Sequence, residues 1–150
     1  MPKASVKRLI ECKKQDLIDL VLDIEKYPEF VPFCFDAKIY ENKNEGDLTK
    51  IIADLTIGKG PFKDTYKSDV VFNRKEDSIF VKNIEGPLNH LSNNWNFVDK
   101  KNGITEITFD IDFEIKNKFL NSLMVVSFQY GLEKIADAFQ KRAEELFSNT

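Results

Sequence analysis

The sequence predicts an α+β domain, an antiparallel sheet with its helices on one face, and three observations carry that prediction. The hydrophobic period switches along the 150 residues from about two to about 3.6 and back. The segment 105–115 alternates strictly, with Thr105, Ile107, Phe109, Ile111, Phe113 and Ile115 on one face and Glu106, Thr108, Asp110, Asp112 and Glu114 on the other. That is a strand with one dry and one wet face, the signature of antiparallel sheets. Finally, 119–147 contains no proline and a single glycine, and carries a long apolar stripe at helical spacing.

Taken in order, residues 4–11 read as a strand in which Val6, Leu9 and Ile10 are apolar. Gln15 to Ile24 turns to helical spacing, with Leu17, Leu20, Val21 and Ile24 on one face and Asp16 and Asp19 near the positive end of the helix dipole. Tyr27-Pro28 and Val31-Pro32 break that helix and permit one more short turn at most. From 35 to 116 strands follow one another. Ile51, Ala53, Leu55 and Ile57 share a face, as do Tyr66, Ser68, Val70 and Phe72, and short runs follow at Ile79–Ile84 and Leu91–Val98. Turn residues separate them at Asn44-Glu45-Gly46-Asp47, Gly58-Lys59-Gly60-Pro61, Glu76-Asp77 and Lys101-Asn102-Gly103.

The closing helix is broadest in its apolar face over its first half, where Val125, Val126, Phe128 and Leu132 widen the stripe, and Gly131 is a candidate bend. A long amphipathic helix and a twisted sheet match poorly along their whole length. A gap between them is therefore a candidate cavity, lined by Phe109, Ile111 and Phe113 from the sheet and Met124, Phe128 and Leu132 from the helix. The expected organisation is one domain over 1–150, one strand, one or two short helices, about six further strands and a long helix.

Composition narrows the function classes. Thirteen Phe, four Tyr and one Trp exclude a solvated tail, and no window approaches the ~20 apolar residues of a membrane span. No secretory signal opens the chain, and two distant cysteines make no disulfide framework, which points to a reducing cytoplasm. A net charge of -3 with scattered Lys and Arg argues against DNA or RNA as the primary partner.

No cluster supports catalysis or metal binding. His90 is the sole histidine, and Cys12, Cys34 and His90 lack metal-ligand spacing, so buried inert thiols and a loop histidine are expected. Gly58-Lys59-Gly60 lacks the Walker pattern, and Asp110, Asp112 and Glu114 read as a solvent face.

Two aromatic, proline-containing tracts stand apart, Asp23 to Cys34 and Gly86 to Phe97. Within them, Tyr27-Pro28-Glu29-Phe30-Val31-Pro32-Phe33-Cys34 after a short helix, and Gly86-Pro87 followed by small polar residues and Trp95-Asn96-Phe97, resemble the coenzyme Q-binding START-like family of the polyketide cyclase and lipid-transport superfamily. The resemblance covers almost the entire chain. It implies a helix-grip fold, a curved antiparallel sheet of about seven strands gripping the C-terminal helix around a hydrophobic cavity. It also implies a non-enzymatic protein that binds ubiquinone or another apolar lipid as ligand, with no cofactor, in support of respiration. Bacterial members are also labelled ribosome association toxins, which makes the 50S subunit an alternative partner, met by a patch around Lys59, Lys63, Lys67 and Arg74. Leu123, Met124 and Phe128 are expected in the cavity wall, and Phe30, Pro32, Phe33 and Trp95 at its mouth. A cyclase would need a polar pair inside the cavity, and the inward positions named above are almost wholly apolar. The expected location is the cytoplasm, with peripheral contact at the inner membrane through an apolar edge at Leu88 and Phe62.

Overall fold

The computed structural model describes residues 3–59, 61–85 and 88–147, and the side chains at 59, 62, 85, 88–89, 115 and 119–128 lie outside that description. Strand β1 (Lys3–Glu11) leads into helix α1 (Lys14–Leu22) and a 3-10 segment (Ile24–Glu29), and a shorter 3-10 turn (Lys101–Gly103) comes later in the chain. Six strands follow, β2 (Cys34–Glu45), β3 (Leu48–Lys59), β4 (Phe62–Asn73), β5 (Ser78–Glu85), β6 (Leu88–Asp99) and β7 (Ile104–Ile115). Helix α2 (Lys118–Phe147) closes the chain. At 1.5 Å per residue its 30 residues span about 45 Å. It runs through Gly131 without interruption, so the glycine does not end a helix there.

All seven strands form one antiparallel sheet in the order β1-β7-β6-β5-β4-β3-β2. Strands β2 to β7 are a meander of hairpins. Their turns use left-handed backbone where the sequence allows it, at Gly46 (φ 62°) and at Asn102-Gly103 (φ 63° and 72°). The first strand then returns to pair with the last, Val6 opposite Phe109 and Ile10 opposite Thr105.

The alternation expected from the sequence sets the sheet's inner face. Ile51, Ala53, Val70, Phe72, Ile79, Trp95, Phe97, Ile107 and Phe109 are buried in one core with Leu17, Ile18, Val21 and Ile24 below and Leu132, Phe139 and Ala143 from α2. On β1, Val6 and Ile10 point in and Leu9 points out, 58% exposed. Helix α1 ends at Leu22, before Ile24, because Asp23 leaves helical backbone and its N–H closes on the carbonyls of Asp19 and Leu20. Pro28 lies inside the following 3-10 turn, whose Tyr27 hydroxyl donates to the carbonyl of Val21. That bond satisfies one of the carbonyls a helix end leaves open.

The ring of Phe139 is the meeting point of these elements. Tyr27, Phe30 and Trp95 all approach it edge-on, with centroids at 5.4, 5.1 and 5.1 Å, and Trp95 leans on Phe109 at 4.2 Å. Polar contacts fix α2 along the outer edge of β1. Arg8 pairs with Asp137, and the amides of Gln129 and Gln140 donate to the carbonyls of Ser5 and Leu9 at 3.3 and 3.5 Å. The opposite edge is handled differently. Strand β2 is bulged near Phe35 and Tyr40, and Glu25 accepts the Ile39 N–H at 2.9 Å.

Truncating the shared ring tests this arrangement. Phe139→Ala is expected to cost about 3–5 kcal/mol in urea unfolding, far more than Leu146→Ala, whose side chain is 52% exposed. Equal losses at the two positions would refute the central role of Phe139.

Candidate functional site

The inner face of the sheet is not uniformly packed. Where α2 runs from Leu132 to Ala143 the contact is close, and the gap bounded by Val6, Ile10, Trp95, Phe109, Ile135 and Phe139 holds only about 10 Å³. That is room for about one water. Toward the other end of the same face, Tyr66, Leu91 and Phe113 form a second apolar cluster, with Leu55 and Ile111 packed against it. Beside that cluster is an open pocket of about 530 Å³, within the range of small-molecule sites.

Three strands build the pocket. Ala4 of β1, Ile111 of β7 and Asn93 of β6 are register partners across the inner face. Gln129 of α2 also lines it. Lys3, Ser5, Ser92, Asn94, Asp110 and Asp112, which alternate to the outer face of the same strands, complete the lining, so residues of both sheet faces border the pocket. This rim is more polar than the apolar lining expected from the sequence. The Ser5 hydroxyl donates to Asp110 at 2.5 Å, and Asp112 lies 3.9 Å from Lys3 and 3.7 Å from His90.

Asn93 is the inward residue that sequence reasoning missed. It lies between Leu91 and Trp95 on the inner face of β6 and opposite Val81 and Ile111 on the neighbouring strands. It is only 9% exposed, and its Oδ1 has no hydrogen-bond partner. Counting by twos back from Phe97 and Trp95 reaches Asn93 directly. The polar run Ser92-Asn93-Asn94 hides that parity. Asp112 Oδ1 and Arg142 Nε are likewise buried without a hydrogen-bond partner, although their residues are less enclosed. The other three buried polar residues are satisfied. Ser68 donates to Ala53 O at 3.2 Å, Thr105 to Cys12 O at 2.7 Å and Thr49 to Asn44 at 2.7 Å.

The residues named from the sequence fall into separate places. Phe109 and Trp95 lie in the close-packed aromatic cluster with Phe139, and Phe30 joins it from the other side under Arg142, whose guanidinium is 5.3 Å from the Phe30 ring. Ile111 touches both the second cluster and the pocket, and Phe113 is a member of that cluster. Pro32 and Phe33 stand at the surface between the 3-10 segment and β2. Leu123, Met124 and Phe128 belong to α2, with side chains outside the described residues, as are those of Leu88 and Phe62.

Phe33 has left-handed backbone, φ 69°, which is uncommon for so bulky a residue. Two contacts hold it there. Its carbonyl accepts the Gly58 N–H at 3.0 Å, and its ring edge lies 3.9 Å from where a Cβ on Gly131 would stand. The aromatic loop thus lies beside α2 at Gly131, where a Cβ would make only ordinary van der Waals contact with it.

The proposed basic patch is broken up by its own contacts. Arg74 ties two hairpins together, donating to Gly46 O, Asn44 and Thr49. Lys63 sits 3.9 Å over the Phe35 ring, and Lys38 and Lys67 flank Tyr40 at 5.0 and 5.1 Å. Among the described residues no group of three or more His, Cys, Asp or Glu could hold a metal ion. No described helix is long and apolar enough to cross a membrane.

Both cysteines are buried free thiols. Burial pushes each thiol from the ordinary 9.0 up to about 11, with Asp16 adding to the effect at Cys12. Burial also raises the hydroxyls of Tyr27 and Tyr66.

A family model described as polyketide cyclase/dehydrase and lipid transport matches residues 10–140. A ribosome association toxin, RatA, of Rickettsia prowazekii is 32% identical over 93% of this chain and 94% of its own length. The mitochondrial coenzyme Q-binding protein COQ10 of Dictyostelium discoideum is 30% identical over 87% of this chain, which spans 63% of that relative. Among solved structures, a START superfamily protein from Mycobacterium smegmatis superposes with a TM-score of 0.81 at 20% identity, over 96% of this chain and 98% of that one. The seven-stranded antiparallel sheet and C-terminal helix of this chain match the helix-grip architecture expected from the sequence.

The two thiols and two phenols make a prediction about alkali. Each stays neutral in the folded chain while the unfolded chain ionises. Stability is therefore complete below about pH 9 and is lost progressively as pH rises toward 11. Urea midpoints measured from about pH 8 upward should fall over that window, and Cys12→Ala with Cys34→Ala should flatten the fall. An unchanged slope in the double variant would refute the thiol contribution.

Proposed function

The chain belongs to the polyketide cyclase/dehydrase and lipid transport family, and we propose that within it this protein binds an apolar ligand without catalysing its conversion. The ligand class we assign is ubiquinone or a related polyprenyl lipid, held between the inner face of the sheet and α2 in support of respiratory electron transport. One observation carries the reading. The apolar cluster of Tyr66, Leu91 and Phe113 stands apart from the main core on the same sheet face, and Ile111 links it to a pocket of about 530 Å³.

In this reading Ile111 and Phe113 form the sheet wall, and the segment of α2 that carries Leu123, Met124 and Phe128, whose side chains lie outside the described residues, is the helix segment proposed to face it. Trp95 and Phe109 close the inner end, Phe30 supports them from behind, and Pro32 and Phe33 frame the mouth. Burial of about 400 Å² of isoprenoid surface at about 25 cal/mol per Å² gives on the order of 10 kcal/mol before association and ordering costs. The name of the Dictyostelium relative supports a quinone as ligand. The reading as a binder rather than a cyclase is supported by the inner face itself. Among its described residues the buried polar side chains are Thr49, Ser68, Asn93 and Thr105, none of them an acid or base, and the His90–Asp112 pair alternates to the outer face.

A second reading has its own observation. The outer face of β2 to β4 exposes Phe35 and Tyr40, 47% and 50%, each beneath a lysine ammonium. The name of the Rickettsia relative makes the 50S subunit the partner to test on this face. Asp54 is the register partner of both Lys38 and Lys67 on this face, and Asp36 lies two residues from Lys38, which lowers the attraction for RNA phosphates.

Organic extraction and mass spectrometry of the purified protein separate the two. A stoichiometric polyprenyl quinone, lost in Ile111→Trp with the melting temperature within a few degrees, is the expected result, because the indole fills the pocket. Retention of quinone by that variant refutes the placement. An empty protein that rejects added quinone and co-sediments with 50S particles at moderate salt overturns the first reading in favour of the second.

A further inference from the structure

We propose that Asn93 is the residue that reads the polar head of the ligand, so that the pocket selects apolar molecules carrying a hydroxyl or carbonyl oxygen over hydrocarbons of the same size. This rests on the ligand-binding reading given above and specifies its chemistry. Asn93 is surrounded on four sides by apolar neighbours, Leu91 and Trp95 along its strand and Val81 and Ile111 across it. An amide at such a position without a partner destabilises the fold, and an apolar residue of similar size would remove that penalty. The Oδ1 is buried, no protein group answers it, and the residue lines the pocket. Its partner therefore has to enter through the pocket.

Position favours the head group over the tail. The satellite cluster of Tyr66, Leu91 and Phe113 continues the same sheet face on one side of Asn93 and offers only apolar side-chain surface apart from the Tyr66 hydroxyl. A chain of isoprene or methylene units suits that surface, and an oxygen function suits the amide. As oriented, the amide offers an acceptor to a hydroxyl. A half-turn about its last side-chain bond offers a donor to a carbonyl instead. One side chain thus serves the reduced and the oxidised forms of a quinone head.

The test uses the full chain with two probes of matched tail length, decylubiquinone and decylbenzene. Binding is followed by quenching of Trp95 or by calorimetry. The intact protein is expected to bind decylubiquinone more tightly. Asn93→Leu and Asn93→Ala should each weaken decylubiquinone about tenfold, the effect of one hydrogen bond, and leave decylbenzene unchanged or tighter. Asn93→Leu should also melt at a higher temperature than the parent when free of ligand. Equal weakening of both probes, or no change in either, overturns the role of Asn93 while the ligand-binding reading stands. Failure of the intact protein to bind either probe removes that reading and this inference together. A lower melting temperature in both variants would show that Asn93 is a satisfied structural residue, and would also overturn the proposal.

Discussion

The contact on which the architecture depends is the insertion of Phe139 among Tyr27, Phe30 and Trp95. Those rings come from the C-terminal helix, the 3-10 turn and the sixth strand. Edge-on packing at 5.1–5.4 Å joins three separate chain segments in one volume. Arg142, one turn further along α2, extends the joint by lying over Phe30 and pairing with Glu29 at 3.0 Å. With the helix anchored there, the gap to the sheet shrinks to about 10 Å³. The curvature of the sheet then carries the mismatch to the opposite end, where the pocket lies. A dry end and a receptive end are two results of one anchoring choice.

Much of this was legible in the residues. Alternation over 105–115 places Phe109, Ile111 and Phe113 on the inner face, and the aliphatic spacing from Leu17 to Val21 gives α1 its buried side. These patterns are readable because burial acts locally on side-chain parity and helical period. What escaped the sequence depends on distant partners. Phe30 and Trp95 read as aromatic residues at a cavity mouth, yet both turn to Phe139, more than forty residues beyond either in the chain. No local signal marks Phe33 for left-handed backbone, since the Gly58 N–H and Gly131 that hold it come from elsewhere. Arg74 reads as a free cation and is instead a brace between two turns. Asn93 was within reach of parity, and was masked by its polar neighbours.

The two ends of the inner face also differ in how their polar groups are treated. Near the anchored end, Thr105 gives its hydroxyl to the carbonyl of Cys12, and Tyr27 gives its own to Val21, so these inward hydroxyls are answered within the protein. At the receptive end Asn93 keeps an open valence among apolar walls. A single sheet, continuous in its hydrogen bonding, thereby carries inward hydroxyls answered by the protein at one end and an unanswered buried amide oxygen at the other.

Strand β1 precedes the other six strands in the chain, and among the described residues its partner in the sheet is β7, with Lys3 opposite Asp112 and Glu11 opposite Ile104. It gains α2 as a neighbour through Arg8 and Asp137, more than 120 residues apart in the chain. During synthesis the hairpins from β2 onward can assemble as they emerge, whereas Val6 and Ile10 must wait for nearly the whole polypeptide. Contacts so distant in sequence make the closing step slow. The fold is therefore a meander that forms early and a lock that engages last, and its period of greatest vulnerability to aggregation falls between completion of β6 and the docking of β1.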